Sequence, residues 1–346
     1  MPGIPACHRW PTASNGAGYA AGLVLALVAT WVATSSAVNA VENSNCRELK
    51  HRFEPISPDA ASDQLNSALF SAAEIGCQEL ARTVLRAGAS LQARDRLGAT
   101  PLAHAARAGQ RAVVELFIAQ GAQVDARDIS GSTALYLAAE SERQATVALL
   151  LAKGANADLP GRFGTTPLSV AAFKGNDRIV EQLLSRHADP NIVDLTGQAA
   201  MTHAAVRGFA EVVGRLLGAG VDAKQRYGNG VTALMWAANY EGGVGVRAAE
   251  TVVDLLLEGG AEIDAVDDRG RTALMMAAEI GHAELVDILI KRGADHKMRD
   301  PASLIGVDTA LAPTSGGTPA MCSCLGSTSC RNERLSRPCK DFRWLR

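Results

Sequence analysis

The sequence predicts an all-α array of stacked helix pairs rather than one globular core. Three observations carry that expectation. A glycine-led frame recurs as Gly98-Ala99-Thr100-Pro101-Leu102, Gly131-Ser132-Thr133-Ala134-Leu135, Gly164-Thr165-Thr166-Pro167-Leu168, Gly197-Gln198-Ala199-Ala200-Met201, Gly230-Val231-Thr232-Ala233-Leu234 and Gly270-Arg271-Thr272-Ala273-Leu274. A second marker keeps the same step at Gly88-Ala89, Gly121-Ala122, Gly154-Ala155, His187-Ala188, Gly220-Val221, Gly260-Ala261 and Gly293-Ala294, 33 residues apart with a single step of 40. Only 4% of residues are aromatic, which suits a core of Ala, Leu and Val between closely packed helices. A period near 33 belongs to units that bury their apolar faces against one another.

Each element of the unit follows from its residues. Thr100 can cap a helix whose first position is Pro101, because proline lacks an N–H that would be orphaned there anyway. Leu102, Ala105 and Ala106 then share one face, and the small alanines let a neighbouring helix approach. Gly109 suits the left-handed residue that ends a helix. A second apolar helix carries Val113, Val114, Leu116, Phe117 and Ile118, Gly121 ends it, and polar Asp125–Asp128 turns the chain into the next unit.

These residues resemble the ankyrin repeat, with its T-P-L-x-x-A-A…G-A pattern, over seven units spanning Leu65–Asp300. The resemblance implies an ankyrin-repeat solenoid: helix-turn-helix units joined by β-turn or hairpin loops, holding a protein partner in a concave groove, with no catalysis and no cofactor. In such proteins binding uses the turn tips and the inner faces of the first helices. Carried over, that stripe comprises Arg96, Leu97 and Arg107; Ile129, Ser130 and Glu140; Arg162, Phe163, Phe173 and Lys174; Leu195 and Arg207; Asn229, Asn239 and Tyr240; Arg269 and Glu279. Phe163, Phe173 and Tyr240 stand out, because aromatic side chains on polar turns are frequent interface anchors; local packing between hairpins is the competing role.

The chain divides into residues 1–40, a signal peptide or membrane anchor; 41–63, a linker with a short helix at Cys46–Phe53; 64–300, the array; and 301–346, a Cys-containing, disordered tail. Pro11–Val41 carries no charged side chain, and Leu23–Val32 is apolar apart from Thr30. That run is short for a bilayer span of about 20 residues. Val38-Asn39-Ala40 matches a small-residue cleavage site, with Ser35-Ser36-Ala37 as a second choice. Export to the periplasm or beyond is expected, anchoring in the inner membrane being the alternative if the segment is uncleaved. Formal charge is −2, so no overall basic field argues for nucleic acid.

The units depart from their pattern in identifiable places. The first lacks the Thr-Pro start, as a capping unit does. Glu142 replaces the helix-ending glycine of the third, and His187 the marker glycine of the fourth. Ala199 and Ala200 replace Thr-Pro in the fifth, removing a cap hydroxyl worth about 1 kcal/mol. Seven extra residues near Tyr240–Arg247 are expected to form a flexible loop between the helices of the sixth. After Met298 the register fails, leaving Leu289 and Ile290 either covered by the tail or partly exposed.

Little chemistry is encoded. Cys46 and Cys77 form a candidate disulfide that would staple the linker onto the first unit. Cys322, Cys324, Cys330 and Cys339 do not show paired C-x2-C spacing, so disulfides or disorder are expected there, with a metal-binding or enzymatic tail as the alternative. The histidines form no H-E-x-x-H cluster. His104 and His203 occupy the same position three units apart, roughly 30 Å at ~10 Å per packed layer, too far to share a metal. Turn aspartates such as Asp95, Asp128, Asp194 and Asp267 suit bonds to nearby backbone N–H groups. Trp236 and Met276 are expected in the core, and Met235 and Met275 nearer the groove. A secreted effector acting on host proteins is the alternative to a periplasmic binding module.

Overall fold

The computed structural model describes residues 45–53, 61–240 and 245–299. The leader, the cleavage sites, the core of the Gly-rich insertion, the displaced remnant Gly306–Leu311 and the four tail cysteines lie outside the described residues. What is described is all-α, and it falls into two compact units: the described parts of Met1–Ala204 with Gly214–Val221, and those of Ala205–Val213 with Asp222–Arg346.

In the first unit, helix α1 (45–53) precedes α2 (Ser62–Ile75) and α3 (Gln78–Arg86). The pairs α4 (Pro101–Ala108) and α5 (Arg111–Ala119), α6 (Ala134–Glu140) and α7 (Gln144–Ala152), and α8 (Pro167–Lys174) and α9 (Asp177–Leu184) follow. First helices stack on first helices, α2 on α4, α4 on α6 and α6 on α8, while α3, α5, α7 and α9 form the second layer. Helices α10 (Ala200–Val206) and α11 (Ala210–Gly218) come next in the chain. The second unit holds α12 (Ala233–Ala238), α13 (Val246–Glu258), α14 (Ala273–Ile280) and α15 (Ala283–Lys291), with α12 on α14 and α13 on α15.

The repeated leucine is the reason for the stacking. Leu69, Leu102, Leu135 and Leu168 are all buried, each contributing on the order of 2 kcal/mol of burial. The alanine pairs Ala72-Ala73, Ala105-Ala106, Ala138-Ala139 and Ala171-Ala172 have no exposed surface, so the first helices approach closely. Threonine caps hold the helix starts: Thr100, Thr133, Thr166, Thr232 and Thr272 each accept a bond from the backbone N–H three residues on. The fifth repeat recovers its missing cap another way. The buried Thr202 hydroxyl accepts from Ala199 N at 3.1 Å and donates to Ala199 O at 2.8 Å.

Consecutive repeats interlock through one side chain each, from helix α2 in the first repeat and from the inter-repeat loops afterwards. Asn66 Oδ1 accepts from Ser90 N at 2.8 Å, Asp125 from Asn156 N at 3.1 Å, Asp158 from Asp189 N at 2.9 Å and, in the second unit, Asp264 from Asp295 N at 2.9 Å.

The linker carries the expected short helix as α1, whose Leu49 is buried, and the candidate disulfide is formed, Cys46 bonded to Cys77 with Cα atoms 5.3 Å apart. Several other expectations change. The insertion is not simply a loop: α13 begins at Val246, four residues earlier than the 33-residue register requires, so part of it lengthens a helix. Leu289 is buried and Ile290 half-buried. Met235 is 1% exposed and Met275 9%, so neither faces a groove, whereas Trp236 is half-exposed rather than core. The position of Ala103 is an inward one from the second repeat on, since Tyr136, Ser169 and Thr202 are buried there too, and methionine's flexible side chain fills the same space.

Candidate partner-binding surface

Two turn geometries present the tips. In the commoner one an aspartate organises the backbone. Asp95 Oδ1 accepts from Leu97 N and Ala99 N, both at 2.8 Å, and Asp128 and Asp194 repeat the pattern with Ser130 and Ser132, and with Thr196 and Gln198. Asp267 does so in the second unit with Arg269 and Arg271. Burial pushes the Asp95 carboxyl up, but hydrogen bonds from His104 and from Ala99 and Leu97 N–H outweigh it and hold it below the usual value. Burial raises Asp194 and Asp267 too, and the bonds they accept likewise prevail.

Where the aspartate is missing, at Gly161 and Tyr227, the turn tightens. Its central non-glycine residue is forced into the left-handed region, Phe163 at φ 57° and Asn229 at φ 60°. Asparagine tolerates that region; for phenylalanine it costs about 1–2 kcal/mol.

Histidines pack behind the tips. His104 lies between two carboxylates, Nδ1 2.8 Å from Glu74 and Nε2 2.7 Å from Asp95, with its ring edge-on to Phe70. His203 Nε2 is 3.2 Å from Asp194 and its ring meets Phe173 edge-on at 5.9 Å. Burial lowers the His203 imidazole despite the opposing pull of Asp194. These are structural roles, and among the described residues no group of His, Cys, Asp or Glu is placed to hold a metal ion.

Arginines at two tips form clamps that sequence reasoning missed. Arg94 donates to Gly98 O and to Arg127 O of the next repeat; Arg127 donates to Gly131 O and to Pro160 O. Arg226 donates to Val266 O at 2.7 Å in the second unit. The signal was a 33-residue recurrence of arginine just before the turn.

The stripe residues separate into groups. Leu97, Ile129, Phe163 and Leu195 are 58%, 76%, 70% and 82% exposed, and all belong to the first unit. Arg96, Arg162 and Lys174 are exposed beside them, Phe173 is 41% exposed, Glu140 is half-buried, and Arg107 reaches Glu74 at 3.7 Å. In the second unit Arg269 is exposed, Glu279 pairs with Arg271 at 3.3 Å, and Arg207 and Asn239 are half-buried. Tyr240 is a correction: it is 8% exposed and stacks on His282 with ring centres 4.1 Å apart, so it packs the second unit rather than presenting a ring.

The family model for ankyrin repeats (3 copies) matches residues 37–128, 69–160, 111–194, 168–265, 201–300 and 246–332. Among curated proteins the chain is similar to ankyrin repeat domain-containing protein 63 of Homo sapiens and of Mus musculus, 46% identical over 50 residues in each case. That match covers 14% of this chain and 13% of each relative, so it bears on the repeat alone. With overlapping matches running through the whole array, the chain belongs to the ankyrin repeat family.

Proposed function

We propose that this is a non-catalytic protein-binding module, exported to the periplasm, that engages its partner through the hairpin tips and first-helix faces of its first unit. The observation that carries the reading is the row of four large apolar side chains, Leu97, Ile129, Phe163 and Leu195, left in solvent on successive tips. Large apolar side chains gathered on neighbouring tips are unusual on a surface that meets only water. Export rests on the uncharged Pro11–Val41 segment and on the Cys46–Cys77 disulfide, a bond that persists in oxidising compartments.

The test is a paired capture from periplasmic extract, with the wild-type chain and a variant carrying alanine at 97, 129, 163 and 195. All four side chains are exposed, so the variant keeps its helical circular dichroism. Retention of one partner by the wild type and its loss from the variant supports the reading, and equal capture by both rejects it. Mass spectrometry of the native protein tests export. A mature chain beginning after Ala40 with Cys46 and Cys77 oxidised is expected, and an intact amino terminus with reduced thiols in the cytoplasm overturns it.

A further inference from the structure

The exposed tips of the first unit form not one row but the same arrangement twice. Arg96 and Leu97 on one tip face Ile129 on the next; two repeats on, Arg162 and Phe163 face Leu195. Each pair is joined by a backbone bond, Ile129 N to Leu97 O at 3.0 Å and Leu195 N to Phe163 O at 3.0 Å. In each, the second tip's side chain lies over a glycine of the first. A Cβ on Gly98 would sit 3.0 Å from Ile129 Cγ2, and one on Gly164 would sit 3.3 Å from Leu195 Cγ.

The charge around both pairs is one-sided. Arg96 and Arg162 have no carboxylate within ion-pair distance among the described residues, and Arg94 and Arg127 spend their donors on carbonyls. The turn aspartates are engaged by their own turns: Asp95, 25% exposed, is hydrogen-bonded to Leu97 N, Ala99 N and His104; Asp128 to Ser130 and Ser132; and Asp194, 5% exposed, to Thr196, Gln198 and His203. Phe163 adds a separate argument, since a residue of that size is left 70% exposed and packing does not account for it.

We infer that the two tip pairs are twin docking stations for one extended acidic segment of a partner, which presents two apolar side chains, each beside a carboxylate. This rests on the binding reading above and adds the chemistry of the partner. Two repeats span about 20 Å at ~10 Å per packed layer. An extended chain covers that in about six residues at ~3.3 Å each. Each apolar side chain fills the space between paired tips, and each carboxylate meets Arg96 or Arg162 in a geometry suited to a two-pronged bond. The chain's own residues 331–346 hold six Arg or Lys against two Asp or Glu, so the positive tips repel them.

The test is selection of random 12-residue peptides, displayed on phage, against the immobilised full chain. Selected sequences are expected to carry two apolar residues five to seven positions apart, each next to Asp or Glu. A synthetic peptide of that consensus should lose about tenfold or more in affinity when either station is removed, by Leu97→Ala with Ile129→Ala or by Phe163→Ala with Leu195→Ala. Arg96→Glu with Arg162→Glu should abolish its binding and restore binding to the same peptide with lysines in place of its acids. Neutral or basic consensus peptides, or a single anchor, overturn the twin-station inference; if alanine at the tips still abolishes capture from extract, the binding module stands. Self-association of the wild type that the tip variants lose makes a second copy the occupant and also overturns it. Failure to select any peptide overturns the inference, and failure of the extract capture as well removes the binding reading beneath it.

Discussion

His187 occupies the position that glycine holds at 88, 121, 154, 220, 260 and 293, and it adopts the same left-handed backbone, φ 61°. A Cβ at Gly121, Gly154 or Gly220 would meet nothing within 4 Å, so the site is open and the cost of a side chain there is torsional. That cost is about 1–2 kcal/mol for an L-residue. Replacing His187 by glycine relieves it, but glycine has more freedom to lose on folding, which offsets about 0.5–1 kcal/mol. The expected net gain for His187→Gly is therefore about 0.5–1 kcal/mol. For a domain of this size that corresponds to roughly 1–4 °C in melting temperature. Urea unfolding followed by circular dichroism at 222 nm should show a higher midpoint with an unchanged slope. The reverse change, Gly121→His, should lower the midpoint by a comparable amount. A midpoint that falls for His187→Gly, or a Gly121→His variant as stable as wild type, would falsify the torsional argument.

Further outcomes follow from the same geometry. Phe163→Gly should raise stability slightly by the same relief while weakening partner capture, a dissociation of the two properties that a merely structural phenylalanine would not give. Thr202→Val keeps the shape but leaves Ala199 N–H without its partner, and should cost about 1–3 kcal/mol in urea unfolding. Asp95, Asp194 and Asp267 have folded-state carboxyls below their ordinary value, so their stabilisation is complete above about pH 4 and is lost as pH falls through the folded values. His203 is lowered as well, so it binds a proton more readily when unfolded; stability should begin to decline as pH drops below about 6.5, and less so in His203→Gln. Reduction of Cys46–Cys77 opens a loop with a sequence separation of 31, removing up to about 3–4 kcal/mol of constraint, and should raise hydrogen exchange in α1 and α2 before the later repeats.

The repeat grammar was readable because its markers are local: Thr100 caps its own helix, Gly109 ends it, and Leu102 points at the neighbour that repeats it. The turn aspartates were readable for the same reason, bonding N–H groups two and four residues away. What escaped depends on the neighbouring repeat. Met235 and Met275 align with Ala103, which suggests a place near the groove, yet a flexible thioether can fold into the interface that a methyl only lines. Tyr240 looked exposed because it follows a helix and precedes the insertion, but His282, one repeat on, covers its ring. The pairing of tips was invisible for a related reason: Arg96, Ile129, Arg162 and Leu195 share a position, and only the backbone bonds between repeats show which two belong together.

The loop carboxylates Asp125 and Asp158 each hold the amide that follows 31 residues later, at Asn156 and Asp189. An excision of 33 residues, from 126 to 158, would bring Asp189 to the place Asn156 had left, and Asp125 would find an equivalent amide waiting. An excision of any fraction of that length would leave the carboxylate facing the wrong atom. This part of the chain can therefore be shortened in whole modules and in no smaller denomination.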